Sequence, residues 1–445
     1  MDRQAARARP PAGVTVKGLS IAVAAVLLLG TSVGRRQTQP KYDLLLRGGH
    51  VVDARNGVDA IRDVAIAAGK IALVAPSINP GDAGKTVDVS GLYVTPGLID
   101  IHAHVYTGTG EASSYAGDNS VYPDGFTFRT GVTTVVDAGG AGWRNFDDFK
   151  TRVIDRSRSR VLAFINIVGH GMRGGTFEQN PADMEAQPTA AAAMQHRGLI
   201  VGIKTAHYAG PEWTPVERAV DAGTAAGVPV MVDFGADHPE TRPLSDLVTK
   251  KLRPGDIYTH MYSGLRNELV AGKPNPGMIE ARTRGVIFDV GHGGGSFVWR
   301  VAVPFVKAGF LPDSISTDLH IGSMNAGMKD MLNVMSKFLA MGVPLPRVVA
   351  QATWHPAREI KQDGLGHLTP GAVADIAVLR LEKGQFGFID MHGARLAGSE
   401  RLTAEMTLKD GRIVYELNGL SRPDWTTLPA DYGATGDPKW DGTRR

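Results

Sequence analysis

The 445-residue chain contains no cysteine, so disulfides and thiolate metal sites are both excluded, and any metal must be held by histidine, carboxylate or a modified lysine. Charge of one sign is also missing. Lys and Arg number 48 against 45 Asp and Glu, the formal net charge is +3, and charged residues make up 21% of the chain. Nucleic-acid binding needs a strong basic field, and none is present. No long hydrophobic run occurs: the richest, Leu19–Gly30, is shorter than the roughly 20 residues a spanning helix requires. No G-x-x-x-x-G-K-[ST] sequence is present to cradle phosphates.

What the chain has begins with that short apolar run. Arg3, Arg7, Arg9 and Lys17 precede it, and the small residues Ser32 and Gly34 follow at a spacing suited to cleavage. This pattern predicts an export signal or, where uncleaved, an N-terminal membrane anchor over residues 1–40. Either way the body is expected outside the cytoplasm, in the periplasm or the extracellular space.

A chain of this length exceeds one ordinary core, so a large barrel with an accessory module is expected. Short apolar runs broken by Gly, Asn and Asp fill the stretch from Lys41 to Thr95, and the same texture returns from Gly366 to Leu420. The two sets predict one small β-sandwich built from both chain ends. Between them, over 96–365, eight strand-like runs alternate with helical patterns, from "GLIDIHAHV" and "GVTTVVDAG" to "GVIFDVGHG" and "DSISTDLH". That alternation predicts a (β/α)8 barrel, an α/β fold whose active site forms at the C-terminal ends of the strands. The tail, 421–445, is rich in Pro, Asp and Gly and reads as loop.

His102 and His104 stand two apart in the first of those runs. Residues i and i+2 of a strand share a face, so the pair can grip one cation; it could equally be a hydrogen-bonded polar patch. Lys204, His260, His292 and Asp318 each lie near the end of a later run. A strand lysine is costly to bury as a bare ammonium. It needs a carboxylate partner or a path to solvent, unless it captures carbon dioxide and becomes a carbamate bridging two metals.

"PGLIDIHAHV", Lys204, His260, His292, "STDLH" and the late "ATWHPAREI" and "GHLTPGAVADIAVL" together resemble the amidohydrolase superfamily, in its branch of metal-dependent amidohydrolases and deacetylases related to dihydroorotases. The resemblance runs from about Tyr42 to Leu420, and "MSKFLAMGVPLPRVVAQAT" is similar to the helix that follows the last strand in that branch. It implies two divalent ions, both zinc or, as the alternative, manganese, with His102 and His104 on the more buried one. Lys204, carboxylated by carbon dioxide, would bridge to a second ion bound by His260. Asp318 would bind the first ion and shuttle protons, and His292 would polarise the substrate carbonyl. Tyr208 and Arg300 are candidates for contacting a substrate carboxylate. The branch usually ends its fifth strand in a histidine ligand, where "GVPVMVDFG" offers Asp233. Asp233 is the expected replacement, with His207 or His238 as the alternatives.

The implied activity is hydrolysis of an amide, an N-acyl amino acid or a cyclic amide, by a water activated between the ions. Dipeptidase-, lactonase- or esterase-type cleavage on the same centre is the alternative. A catalytically silent binding protein is a second one, should Asp233 have disabled the metal site. Expected partners are a small-molecule amide or ester and further copies of the chain in a homo-oligomer, with a membrane only through the N-terminal anchor.

Overall fold

The computed structural model describes residues 40–433 apart from 235–237 and 239. The export signal or anchor expected over 1–40 therefore lies, but for Pro40, outside the described residues, and so does the end of the tail. No helix among the described residues is long and apolar enough to cross a membrane. The chain first lays down β1 (Leu44–Asp53), β2 (Val58–Ala67), β3 (Lys70–Ala75), β4 (Thr86–Asp88) and β5 (Tyr93–Pro96). Then follow β6 (Leu98–Ala103), β7 (Val132–Gly142), β8 (Arg160–Asn166), β9 (Ile200–Thr205), β10 (Val230–Val232) and β11 (Ile257–Tyr258). After the short hairpin of β12 (Leu269–Val270) and β13 (Lys273–Pro274) come β14 (Ile287–Phe288), β15 (Ile376–Ile389), β16 (Arg395–Lys409) and β17 (Arg412–Glu416).

The two chain ends join in one sheet, ordered β17-β16-β15-β5-β1-β2-β3, with β4 also on β1. The seam is β5 against β15, where Val94 faces Val378. Gly49 makes the neighbouring approach of β1 to β5 feasible, since a Cβ there would lie 2.5 Å from Val94 Cγ2. The far edge returns to the start of β15 through Ile71 N to Ala372 O at 2.9 Å and Gly371 N to Ile71 O at 2.8 Å. The sheet thus rolls around Leu46, Val64, Ile66, Ile376, Val378 and Met406. The expected sandwich is this one continuous sheet folded on itself.

The central region forms a parallel sheet in the order β14-β11-β10-β9-β8-β7-β6. Ile99, Ile101, Val136, Phe164, Val201, Met231 and Ile257 fill its interior, so the barrel is a packed core below its mouth. Residues 314–319 occupy the eighth position without a regular ladder. On one side His292 N donates to Ser316 O at 3.3 Å; on the other, His104 N donates to Leu319 O at 2.8 Å. Ser314, Ser316 and Thr317 instead send their hydroxyls to buried carboxylates, Asp289 and Asp100. Side-chain bonds of this kind compete with regular strand pairing.

Two elements differ from expectation. The run taken as one helix is two, Met331–Ala340 and Leu345–Gln351, separated where Gly342 takes φ +86° and Pro344 caps the second. β15 and β16 also run well past the apolar stretches that signal them, forming a long hairpin whose tip covers the barrel: Trp299 Nε1 donates to Ala394 O at 2.9 Å.

Candidate metal centre

At the barrel mouth, where β6, β9, β10, β11 and the eighth segment end, the chain bends through strained backbone. Phe234, His260 and Asp318 have φ of +51°, +62° and +51°, a region that side chains other than glycine seldom occupy, and one that clusters at functional sites. Two groups of candidate ligands meet there and share His102: His102 with Asp233 and His260, and His102 with His104 and Asp318. All of these residues are buried. Asp318 Oδ1 lies 3.0 Å from His104 Nε2 and 3.7 Å from His102 Nε2, and Asp233 Oδ2 lies 3.1 Å from His260 Nε2. Lys204 Nζ sits between the groups, 3.1 Å from His102 Nε2 and 3.5 Å from Asp233 Oδ2.

The donor chemistry fits divalent ions. Imidazole nitrogens and carboxylate oxygens face one another at the buried strand ends, and Asp233 Oδ1 is buried without a hydrogen-bond partner among the described residues. Such groups are normally satisfied in a protein interior, so lone pairs left to converge mark a place for a cation. Burial, reinforced by the Lys204 charge, pushes His102 well below its usual range and keeps its ring neutral, the form that ligates. For Asp318, burial would raise the carboxyl, but the imidazoles of His102, His104 and His320 gathered around it, with the bond from His104, outweigh it and hold it well below the usual carboxylate range. Asp233 is likewise held well below the carboxylate range, because His260 and Lys204 outweigh its burial.

Behind the ligands stands a layer that orients them. His102 Nδ1 is 3.0 Å from Thr259 Oγ1, which donates to Asp289 Oδ2 at 2.7 Å. His260 Nδ1 meets Gly291 O at 2.5 Å. These contacts fix ring orientation, as outer partners of metal-binding histidines do. Gly291 is required there. At φ +46° it brings the backbone so close that an added Cβ would lie 2.3 Å from Thr259 Oγ1 and 2.9 Å from His260 Nδ1. Gly291→Ala is expected to weaken metal binding by roughly tenfold to a hundredfold, the range for disrupting such a layer; metal content after dialysis measures it, and full retention would refute the role given to this backbone.

The structure brings together His102, His104, Lys204, Asp233, His260 and Asp318. It does not bring His292, Tyr208 or Arg300 to them. His292 Nδ1 donates to Gly293 O at 2.9 Å, its Nε2 meets Lys337 Nζ at 2.5 Å, and its ring stacks on Phe297. With both nitrogens occupied it cannot polarise a carbonyl. Lys337 also donates to Gly327 O and Ile389 O, both at 2.8 Å, so the pair is a strut between the barrel loop and the hairpin tip. Tyr208 turns its hydroxyl to Glu212 at 2.8 Å. Arg300 is exposed at the start of the helix Trp299–Lys307. Of the alternatives to Asp233, His238 bonds to the Ala209 carbonyl, whereas His207 stands at the rim with Nε2 4.0 Å from Asp233 Oδ2.

Sequence reading missed the groups that complete the mouth. Glu178, buried, holds His207 Nδ1 at 2.8 Å. Tyr115 lies with its ring centre 4.4 Å from that of His104 and 5.1 Å from that of His320. Tyr115, Met172, Glu178 and His207 line a cavity of about 700 Å3 beside the ligands. Tyr115, Met172 and Glu178 come from loops, where no periodicity marks them; of the four only His207 was a sequence candidate, as an alternative ligand, and His320 is signalled only by its place two residues after Asp318.

A parallel barrel with imidazoles, carboxylates and a buried lysine at its mouth defines a metal-dependent hydrolase. No family profile matches the chain. A deacetylase of Agrobacterium fabrum is 32% identical over 334 residues, covering 73% of this chain and 79% of the relative. A deacetylase of Enterococcus faecalis is 29% identical over 382 residues, covering 84% and 99%. Among solved structures, an adenine deaminase superposes with TM-score 0.76 and a dihydroorotase with 0.71, each 28% identical over 84% of this chain and covering 100% and 99% of theirs. The chain belongs to the amidohydrolase superfamily, alongside its deacetylases, and is a hydrolase of carbon–nitrogen bonds.

Proposed function

We propose that the protein hydrolyses a small N-acyl amide, an N-acyl amino acid or a cyclic amide, outside the cytoplasm, using two divalent ions with zinc the best match. The single observation that carries this is the pair of ligand groups sharing His102, with Lys204 Nζ between them and a cavity alongside. Mixed imidazole and carboxylate donors suit zinc, and the two carboxylates also admit manganese. The ions supply Lewis acidity and lower the pKa of a coordinated water. As the neutral amine, Lys204 would add to carbon dioxide and release a proton, and the carbamate so formed would replace an ammonium that is costly to bury with a further anionic oxygen donor.

The chain's own residues do the rest. Asp318, held ionised by its histidines, accepts a proton from the attacking water and returns it to the leaving nitrogen. His207, fixed by Glu178 at the cavity wall with Nε2 4.0 Å from Asp233 Oδ2, takes the role of hydrogen-bond donor to the acyl oxygen that His292 cannot perform. Export is supported by the arginines and short apolar run at the N-terminus.

A panel of N-acetyl amino acids, cyclic amides, dipeptides, lactones and acyl esters tests the substrate class; turnover confined to lactones or esters would overturn the amide reading. Lys204→Ala should be inactive and partly rescued by added formate or acetate. A lysine that is merely paired shows no rescue, and that result would remove the carbamate.

A further inference from the structure

A second cavity, of about 400 Å3, lies outside the metal centre. Its walls are the outer face of the barrel near Val135 and Leu319, the start of the helix Met331–Ala340, and the edge of the rolled sheet at Leu402 and Tyr415. The size falls within the roughly 300–1,000 Å3 usual for small-ligand sites. The walls are mostly apolar, yet Arg129 and Lys329 both line the cavity and are exposed. Neither makes an ion pair or side-chain hydrogen bond with any described residue. Lys329 is held at φ +68°, a conformation rarely retained by a side-chain-bearing residue without cause. The acid beside them, Asp330, is committed to the helix, its Oδ1 accepting from Asn333 N at 2.7 Å.

The cavity floor is Asp100 with Thr317. Asp100 accepts from Thr317 N at 3.0 Å and from His102 N at 3.3 Å. One bond thus joins it to the residue before Asp318, and another to a metal-ligand candidate itself. Whatever presses on this floor presses on both.

We propose that this cavity binds a small amphipathic monocarboxylate, apolar body inward and carboxylate between Arg129 and Lys329, and that its occupancy alters turnover at the metal centre through Asp100 and Thr317. The apolar walls select a hydrocarbon body, and the Asp100 carboxylate beneath them already accepts from Thr317 and His102 and asks for no further partner. Two unpaired cations at the mouth select a single anionic head, since hydrogen bonds to ionised groups are the stronger kind. The inference does not depend on which amide the enzyme cleaves.

Titration calorimetry of the metal-loaded full chain with octanoate, against octan-1-ol as the uncharged control, reads the site directly. One octanoate should bind per chain, at least tenfold tighter than octanol. The double variant Arg129→Ala/Lys329→Ala, both surface residues, should lose that preference, and Ala404→Trp, which fills the cavity, should abolish both. With a hydrolysed substrate in hand, saturating octanoate should change kcat in the natural protein and leave the double variant unaffected. Equal binding of octanoate and octanol, preference surviving in the double variant, or an effect on KM alone that marks competition at the metal centre would each overturn the proposal. Should Ala404→Trp not fold, the double variant decides. Calorimetry reports even when no amide in the panel is turned over, so failure of this site and failure of the amide reading are separate results.

Discussion

Asp318→Asn should lower turnover by about a thousandfold while changing substrate affinity and metal content far less. The carboxylate lies at the end of the eighth barrel segment with Oδ1 3.0 Å from His104 Nε2, and Oδ2 3.9 Å from His320 Nε2. An asparagine fills the same volume and keeps one carbonyl oxygen as a ligand, but it cannot take a proton. Loss of a positioned general base typically costs about 10²–10⁴-fold. The comparison with Asp318→Ala is informative, since alanine removes the ligand as well and should lower metal content too. Unchanged turnover in Asp318→Asn, with metal still bound, would remove the proton shuttle from this residue.

The local geometry explains why this aspartate can serve. His320, two residues on, caps the helix Ile321–Asn325 by accepting from Gly322 N at 3.1 Å through Nδ1, which leaves its Nε2 protonated and facing Asp318. Ser323 Oγ donates to Asp318 O at 2.8 Å and pins the turn. Gly293 passes so close that a Cβ would lie 2.5 Å from Asp318 Oδ2. The carboxylate is thus boxed in from several sides, and such preorganisation is what a proton acceptor requires.

How much of this was legible in the sequence depended on whether strand-end position alone settled a residue's direction. For His102, His104, Lys204 and His260 it did, since each lies at or just beyond the end of a strand whose apolar neighbours fill the barrel, and for Asp318 it did although its segment forms no regular ladder. For His292 it did not. Gly291 at φ +46° and Gly293 at φ +57° swing that residue away from the mouth, and a lysine 45 positions later, Lys337, is what receives it. Nothing local in "FDVGHG" encodes that partner. Glu178 and Tyr115 were invisible for the same reason: each sits on a loop whose path is set by tertiary contacts, Ser114 Oγ to Met172 O at 2.9 Å among them. The seam between β5 and β15 was readable because both runs share the same short apolar texture. The outer half of the β15–β16 hairpin was not, because residues such as Lys383, Gln385, Arg395 and Glu400 alternate with glycine and carry little apolar signal.

Asp233→Ala should lose chiefly the ion held by His260, with affinity falling at least tenfold, while the ion held by His102, His104 and Asp318 stays. Asp233→His should keep both ions and shift preference towards zinc. The reasoning starts from charge. In the position where the superfamily branch usually has a neutral imidazole, this chain places a carboxylate, buried and held below the usual carboxylate range chiefly by His260. One added negative charge makes the ions less positive overall and so weaker Lewis acids. It also replaces a nitrogen donor with an oxygen donor, which favours harder ions such as manganese. The geometry supports ligation over a structural ion pair: Oδ2 faces His260 at 3.1 Å, while Oδ1 is buried with no hydrogen-bond partner among the described residues, a state that costs about 1–3 kcal/mol if nothing binds it. His207 tests the alternative from the other side. Were it the ligand, His207→Ala would empty the site and Asp233→Ala would not. As a substrate-facing donor steadied by Glu178, His207→Ala should lower turnover with metal content unchanged. Metal analysis of these three variants, loaded with zinc or with manganese, separates the two assignments, and full occupancy in Asp233→Ala would end the case for the aspartate.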